Sequence, residues 1–523
     1  MKTSNKYLAD LRYPDTMARL AALAVFLLLL ARTAYFYLAP DAVLVGVIPD
    51  DAFYYMQMAK HRVADGLWTF DGSSAATGFH LLYGYFLALV YWVTGDITWR
   101  QLHLLVSSLA SVSIAVAALL TYRAAAVVFD RTVAPLAIAP FLTAVSLIQS
   151  TAMMESWLVL LLSALTVSAV VRTNPPGLPE KAALFAIGLL GSLARTDYGM
   201  LPGFLFVCAL GLYRAVPPVF LRRTAIVLGG AIIGVMAVLI QNYFISGHFA
   251  QASALVKLHW SQLAHHNLVA SINLIVSSAV PFFRPLDAAA KPLLAVASIV
   301  LLGILIRAAL RTFAQQGNDK NCSLVLLCAS VFTIGGYLVF YKHNSGALQV
   351  WYSANLIVPV SLVLVGTAFH VFKKGRSWAT LALLVVYGTS ALMDVLSIPW
   401  PHQAGMMHAG ISLRSEQSTA GFASWNAGII SYFSGKPVVN IDGLTNDEAL
   451  PYIRSNTLFD YFGERGIRYV VDYEEMLTNP YLRLRGGYED ARINNCIKPL
   501  RTIDGGASGT TRLKMFEVVP DCR

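Results

Sequence analysis

Long apolar runs alternate with short polar connections from the N-terminus to about residue 395, and this pattern predicts membrane-spanning helices. Eleven runs qualify as spans: 17–38, 101–124, 132–149, 155–172, 181–195, 198–213, 224–245, 291–309, 322–341, 353–371 and 378–395. The first is long enough to cross and is followed by no small-residue cleavage site, so it reads as a retained helix and not a signal peptide. A further run, FHLLYGYFLALVYWVT at 79–94, is apolar but short. Beyond residue 395 the period changes. KPVVNIDGL, IRYVVDY and RLKMFEVV read as strands rich in β-branched residues, whereas TAGFASWNAGIISYFSG and NTLFDYFGERG read as helices, the second closed by glycine. The fold class expected is an α-helical polytopic membrane protein over 1–395, followed by a small soluble α/β domain over 396–523. No internal repeat, low-complexity stretch or glycine-rich nucleotide fingerprint interrupts the pattern.

Charge orients these elements. Connections bearing Lys or Arg recur between alternate pairs of runs, at 123–131, 172–181, 214–223, 307–320 and 373–376, on the same side as Lys2, Lys6 and Arg12. The positive-inside rule places that side in the cytoplasm. Were 79–94 a span, every later loop would flip. It therefore reads as a juxtamembrane or re-entrant helix within one long external loop, 39–100, with a second external loop at 246–290. The tail then lies outside, in the periplasm or extracellular space of a plasma membrane, most simply a bacterial inner one.

Composition agrees. Hydrophobic residues make up 56% of the 523 and charged residues 13%, against roughly 45–50% and about 25% in soluble domains. The net charge of +10 is no sign of nucleic-acid binding. The segment from Leu396 onward holds 13 basic and 14 acidic residues, leaving 26 and 15 in the membrane part, and no basic stripe interleaved with aromatics occurs. Cys208, Cys322 and Cys328 lie in apolar runs as core thiols. Cys496 and Cys522 can form a disulfide if the tail is outside the cytoplasm.

This topology gathers the polar residues that look misplaced in a membrane protein onto one face. Asp50 and Asp51 open an amphipathic helix after the first span. A carboxylate there either caps the helix or, with its pKa raised near a low-dielectric boundary, serves as a base. Glu155 begins an apolar helix, where it either favours the helix N-terminus or faces a cavity. Arg195 and Asp197 interrupt an apolar stretch, as a self-neutralising pair or as an anion site in which Asp197 orients Arg195. Lys257 and His259 lie in the second external loop and suit phosphate. His259, His265 and His266 lack a nearby carboxylate and a diagnostic metal spacing. Lys342, His343, Trp351 and Tyr352 sit at the outer ends of two helices, where aromatic belts are ordinary and a lysine beside tyrosines suits a phosphate head group.

The stretch DDAFYYMQMAKHRVADGLWTFDGSSAATGFH resembles the first external loop of the glycosyltransferase C superfamily. That group includes protein O-mannosyltransferases, aminoarabinose transferases, mycobacterial arabinofuranosyltransferases and the catalytic subunit of oligosaccharyltransferase. Met154-Glu155 resembles its second acidic motif, Arg195 to Asp197 its Arg-x-acidic turn, SGHFAQASALVK a loop ending in lysine, and VVNIDGLTNDEALPYI an outer C-terminal segment. The chain departs from the pattern in having a lone Glu155 where an Asp-x-Asp or Asp-Asn-Glu would stand. The resemblance implies inverting transfer of a sugar from a polyprenyl-phosphate donor, held in the lipid bilayer, to a hydroxyl of a glycan, lipid or protein acceptor. It implies Asp50 as base, Asp51 as helix cap or acceptor support, and Glu155 orienting the acceptor or a divalent Mg or Mn ion. Arg195, Lys257, Lys342 and Tyr352 would hold the donor phosphate, with His80, Asp197 and His259 on the acceptor side. The competing class is a lipid or solute transporter or flippase, which internal repeats and mid-membrane broken helices would signal.

Overall fold

The computed structural model describes residues 2–214, 216–263, 268–282, 318–344, 348–371, 376–418, 421–503 and 513–519. In chain order the helices of the membrane part are α1 (Lys2–Leu38), α2 (Asp50–Ala64), α3 (Leu81–Thr94), α4 (Trp99–Val128), α5 (Ala144–Thr151), α6 (Ser156–Val170), α7 (Leu178–Ala194), α8 (Met200–Gly211), α9 (Pro218–Ser246), α10 (Ala252–Leu263), α11 (Leu268–Ala279), α12 (Asn318–Asn344), α13 (Ala354–Val371) and α14 (Arg376–Asp394). Among the described residues six helical stretches are long and apolar enough to cross a membrane unaided: 15–38, 99–128, 218–246, 322–342, 350–369 and 376–394. The protein is an integral membrane protein of the polytopic helical class.

The remaining expected spans take shorter or broken forms. Run 132–149 is a 3₁₀ segment, Ala134–Leu142, meeting α5 at a 62° bend. Pro140 lies within the first piece, and its ring lacks the N–H that would continue the ladder. The Thr143 and Ser146 hydroxyls, each 2.8 Å from the Pro140 carbonyl, satisfy the oxygen that the break would leave bare. Runs 155–172, 181–195 and 198–213 become α6, α7 and α8, of 15, 17 and 12 residues. Run 79–94 becomes the 14-residue α3, about 21 Å long at 1.5 Å per residue and short of the ~30 Å hydrocarbon core. Run 291–309 lies outside the described residues.

Small residues let the helices touch backbone to backbone, as apolar helices in lipid need to do. A Cβ on Gly188 would stand 1.9 Å from the Val227 carbonyl of α9, and one on Gly230 would stand 2.1 Å from the Phe185 carbonyl of α7. Arg32 is buried within α1. Its Nε donates to Thr151 at 3.0 Å and its Nη1 to the Val395 carbonyl at 2.7 Å, so one charge ties together the ends of three elements.

The C-terminal domain follows α15 (Gln403–Leu413). Its elements are β1 (Gly421–Ser424), α16 (Ala427–Ser434), β2 (Val438–Asn440), α17 (Ala449–Ser455), α18 (Leu458–Glu464), β3 (Ile467–Tyr473), β4 (Ile497–Ile503) and β5 (Leu513–Val518). The sheet order is β2-β1-β3-β5-β4, with β1 parallel to β2 and β3, and β5 antiparallel to β3 and β4. All three expected strands are present. The helix expected over TAGFASWNAGIISYFSG begins only at Ala427. Gly421–Ser424 instead pairs on both sides, with Ala423 opposite Val439 and Val470, because burial between two strands outweighs local helix preference. Strand β4 has no counterpart in the sequence pattern; its interior residues are exposed at the sheet edge, so it carries no hydrophobic period to read. Cys496 is buried and disulfide-bonded, while its expected partner Cys522 lies outside the described residues.

Loop 65–80 is moulded onto this domain. A Cβ on Gly78 would stand 1.5 Å from the Leu444 carbonyl. The Thr77 N–H and hydroxyl donate to Asp447 at 3.0 and 2.6 Å, and the Arg465 guanidinium donates to Ser73. The Tyr54 hydroxyl reaches from α2 into the domain, where Asn440 Nδ2 and the Ala427 N–H donate to it at 3.1 and 3.2 Å.

The glycine contact gives a paired test. Gly230→Ala should lower the melting temperature in detergent, because overpacking at this kind of contact costs about 1–3 kcal/mol. Gly229→Ala, which meets nothing within 4 Å, should leave it unchanged or raise it slightly. Equal melting temperatures for the two variants would refute the packing described.

Candidate active site

Asp50 and Asp51 occupy the first turn of α2, after Pro49, whose ψ of 153° brings the chain in extended. The helix dipole favours acidic residues there, while the N-cap position itself, Pro49, supplies no side-chain cap. Asp50 turns outward to the C-terminal domain. Its Oδ2 accepts from the Gly428 N–H at 3.2 Å and its Oδ1 from the Ile429 N–H at 2.6 Å, two of the open donors in the first turn of α16. A Cβ on Gly428 would stand 2.4 Å from the Asp50 carbonyl, so only glycine permits the approach. Desolvation pushes the Asp50 carboxyl up to about 7, against the Ile429 hydrogen bond, which lowers it.

Both aspartates line one cavity, but they differ in their partners. Asp50, read from the sequence as the base, has both oxygens committed to backbone donors of another domain. Asp51, read as helix cap or acceptor support, lines two adjoining cavities, the larger of them together with Asp50. Burial raises its carboxyl, the Lys257 ammonium opposes that rise, and Glu155 adds to it. Lys257 would be lowered by burial, but Tyr352 and Asp51 outweigh this and it is raised. It therefore stands as a cation beside the carboxylate.

Three cavities meet at Lys257 and Tyr352, which line all of them. The central one, about 30 Å³, is bounded by Asp51, Tyr55, His80 and Glu155. Glu155 follows Met153, whose φ of +51° is a left-handed turn rare outside glycine. The Tyr83 hydroxyl pins that turn by donating to the Met153 carbonyl at 2.5 Å. Glu155 Oε1 accepts from Arg195 Nη1 at 2.7 Å, and its Oε2, buried, has no hydrogen-bond partner. Burial pushes His80 down to about 4, so the imidazole 3.5 Å from Glu155 is neutral.

The second cavity, about 150 Å³, runs from His80 past Arg195 and Asp197 to Tyr341 and Tyr352. Asp197 grips Arg195 through both oxygens, at 3.0 and 2.9 Å, and the guanidinium lies 5.0 Å from the Tyr352 ring centre. Lys257 Nζ lies 4.9 Å from the same ring, so one aromatic platform serves two cations. Three of the five Arg195 N–H groups are used by these carboxylates, which leaves donors for an anion. The third cavity, about 220 Å³, lies on the other side of Asp51, between α2 and the C-terminal domain. It holds Trp260, Trp351, Trp400, Trp425, Asp442 and Arg485 among its walls.

Asp51, Glu155, His80, Arg195, Asp197, Lys257 and Tyr352 thus come together as the sequence implied. Lys342 and His259 do not line these cavities. The Lys342 carbonyl accepts from Ser261, and His259 is half-buried near Arg454, with burial lowering it. His265 and His266 lie outside the described residues. Among the described residues no group of three His, Cys, Asp or Glu side chains is placed to hold a metal ion. Lys257 and Arg195 supply positive charge to Asp51 and Glu155. Asp442, Arg485, Trp260, Trp400 and Trp425 escaped the sequence reading. Asp442 sits in the quoted VVNIDGL, where a carboxylate directly after a strand was the available signal; Arg485 offered none.

The raised Asp50 carboxyl makes stability depend on pH. The folded state holds this proton more tightly than the unfolded chain, so stability falls as pH rises from the unfolded value of 3.8 through about 7. Melting temperatures across that window should decline for the wild type and decline less for Asp50→Asn; identical slopes would contradict the Asp50 environment.

A domain of unknown function, DUF8728, matches residues 403–512. No curated protein matches the chain. Solved structures match it over nearly its whole length. The archaeal oligosaccharyltransferase AglB from Archaeoglobus fulgidus, in complex with an inhibitory peptide and a dolichol-phosphate, is 12% identical, with 95% of this chain and 74% of that one covered and a TM-score of 0.55. The same enzyme tethered to an acceptor peptide gives a TM-score of 0.56 at 12% identity, covering 96% and 73%. ArnT from Cupriavidus metallidurans bound to undecaprenyl phosphate is 11% identical, covering 94% and 97%, with a TM-score of 0.54. The chain thus shares the fold of these oligosaccharyltransferase and ArnT structures, membrane helices and C-terminal domain together.

Proposed function

We propose that this protein is a membrane glycosyltransferase that moves a sugar from a polyprenyl-phosphate donor to an acceptor hydroxyl, with Asp51 as the general base. The observation that carries the reading is that Asp51 lines both the small cavity it shares with His80, Glu155 and Lys257 and the larger one walled by tryptophans, while Lys257 and Tyr352 connect both to the Arg195 cavity. The dolichol-phosphate and undecaprenyl phosphate bound to proteins of the same fold support a lipid-phosphate donor. The plasma membrane of a bacterium, with the C-terminal domain on the periplasmic side, is the compartment that the loop charges favour.

The donor phosphate binds where Arg195 and Lys257 converge, with Tyr352 between them. The acceptor hydroxyl donates to Asp51. As its oxygen bonds to the anomeric carbon, its proton passes to the Asp51 carboxylate, and the bond from that carbon to the phosphate oxygen breaks. The electron pair leaves with the lipid phosphate, whose growing charge Arg195 and Lys257 meet in a site that needs no reorganisation. In-line attack inverts the anomeric centre. Burial raises the Asp51 carboxyl, which makes it a stronger base than a solvated aspartate, and the Lys257 ammonium opposes that rise. The free Glu155 oxygen is placed to accept from a sugar hydroxyl.

Asp51→Asn should lower transfer by about 10²–10⁴-fold, the usual contribution of a general base. Asp50→Asn should act mainly on stability and leave most of the turnover. The assay is release of polyprenyl phosphate, followed by mass spectrometry, in nanodiscs supplied with polyprenyl-phosphate sugars and a membrane glycan extract. Full activity in a folded Asp51→Asn protein would remove Asp51 from the mechanism, and absence of any donor consumption by the wild type would remove the enzyme reading.

A further inference from the structure

The order of groups along an inverting reaction is fixed: phosphate, anomeric carbon, acceptor oxygen, base. With the phosphate at Arg195 and Lys257 and the base at Asp51, the body of the acceptor lies beyond Asp51. The space there is the 220 Å³ cavity between α2 and the C-terminal domain. It shares Lys257 and Tyr352 with the phosphate cavity, and adds four tryptophans to its walls. Trp260 and Trp425 lie with ring centres 5.3 Å apart, and Trp351 and Trp400 form an edge-to-face pair at 5.9 Å. The Arg485 guanidinium covers the first pair, 4.2 Å from Trp260 and 4.9 Å from Trp425. It makes no ion pair or side-chain hydrogen bond among the described residues, although it lines the cavity with Asp442. The Trp425 indole N–H is also buried without a partner.

Indole faces and edges, a free guanidinium fork, a carboxylate and the Gln349 and Asn426 amides are the groups that recognise a sugar. The apolar C–H face of a pyranose rests against an aromatic surface, and its neighbouring hydroxyls pair with planar polar side chains. A fatty chain would leave the Arg485 guanidinium desolvated without a hydrogen-bond acceptor, at a cost that apolar contact does not recover. We infer that this cavity is an acceptor subsite for a carbohydrate ring, and that the C-terminal domain builds it through Trp425, Asp442 and Arg485. The inference rests on the transferase reading above and names its acceptor class. It also assigns the domain of unknown function over 403–512 a role, which is to close the acceptor side of the cleft.

The test uses the full chain in nanodiscs without donor. Intrinsic tryptophan emission is titrated with methyl glycosides, with neutral and uronic-acid-bearing oligosaccharides, with a serine- and threonine-containing peptide, and with diacylglycerol. At least one carbohydrate probe should give a saturable change, and the peptide and diacylglycerol none. Arg485→Lys keeps the charge but loses the fork and should weaken that probe at least tenfold; Trp400→Ala, at the half-buried rim, should weaken it too. Melting temperatures check that both variants fold. A response to the peptide or to diacylglycerol alone, a flat response to every probe, or unchanged carbohydrate affinity in both folded variants would overturn the inference. Donor consumption, and its loss in Asp51→Asn, is measured separately, so the transferase reading can survive the failure of this one.

Discussion

The Asp50 carboxylate accepting two N–H groups at the start of α16 is the contact on which the rest of the site depends. It joins α2 to the C-terminal domain through donors that would otherwise be orphaned at a helix N-terminus. Because Asp50 and Asp51 are neighbours in one helical turn, fixing the first carboxylate on the domain directs the second toward Lys257 and the cavities. Gly428 allows this by omitting a Cβ where the α2 backbone arrives. Tyr54, one turn further along α2, reinforces the same junction by inserting its hydroxyl among Asp442, Asn440 and Ala427.

Opposite charges are set beside one another within the site. Asp51 faces Lys257, and Arg195 bridges Glu155 and Asp197. Asp51, Glu155, Arg195, Asp197 and Lys257 each have an opposite charge close by, which offsets the cost of their burial. The balance is uneven, and that gives it a use. Glu155 keeps one free oxygen, Arg195 keeps free donors, and Arg485 keeps its fork. These unspent groups surround a path that runs from the cationic cavity past Asp51 to the tryptophan-lined one.

Much of the fold could be read from hydrophobic period alone. The six long helices, three of the five strands and the switch near residue 395 all leave a clear pattern, because each buries one face or crosses a uniform apolar medium. The break at Pro140 was visible as a residue yet masked by the apolar run around it. Strand β1 was masked by the helix-like sequence that follows it. Strand β4, exposed along the sheet edge, has no pattern to leave.

The sequence by itself determined which residues gather. Lys257, Glu155, Arg195 and the aspartate pair each interrupt an apolar or amphipathic context, where an uncompensated charge is too costly to be incidental. The side that they share follows from the arithmetic of loop charges. Only the tertiary structure decided what each does. Whether Asp50 or Asp51 is free depends on which one meets the α16 N-terminus, more than 370 residues away in the chain. Asp442, Trp425 and Arg485 enter the cleft because the sheet and its connections carry them there. Side-chain direction within a helical turn, and contacts between segments hundreds of residues apart, have no local period, so no reading of the chain alone could assign them.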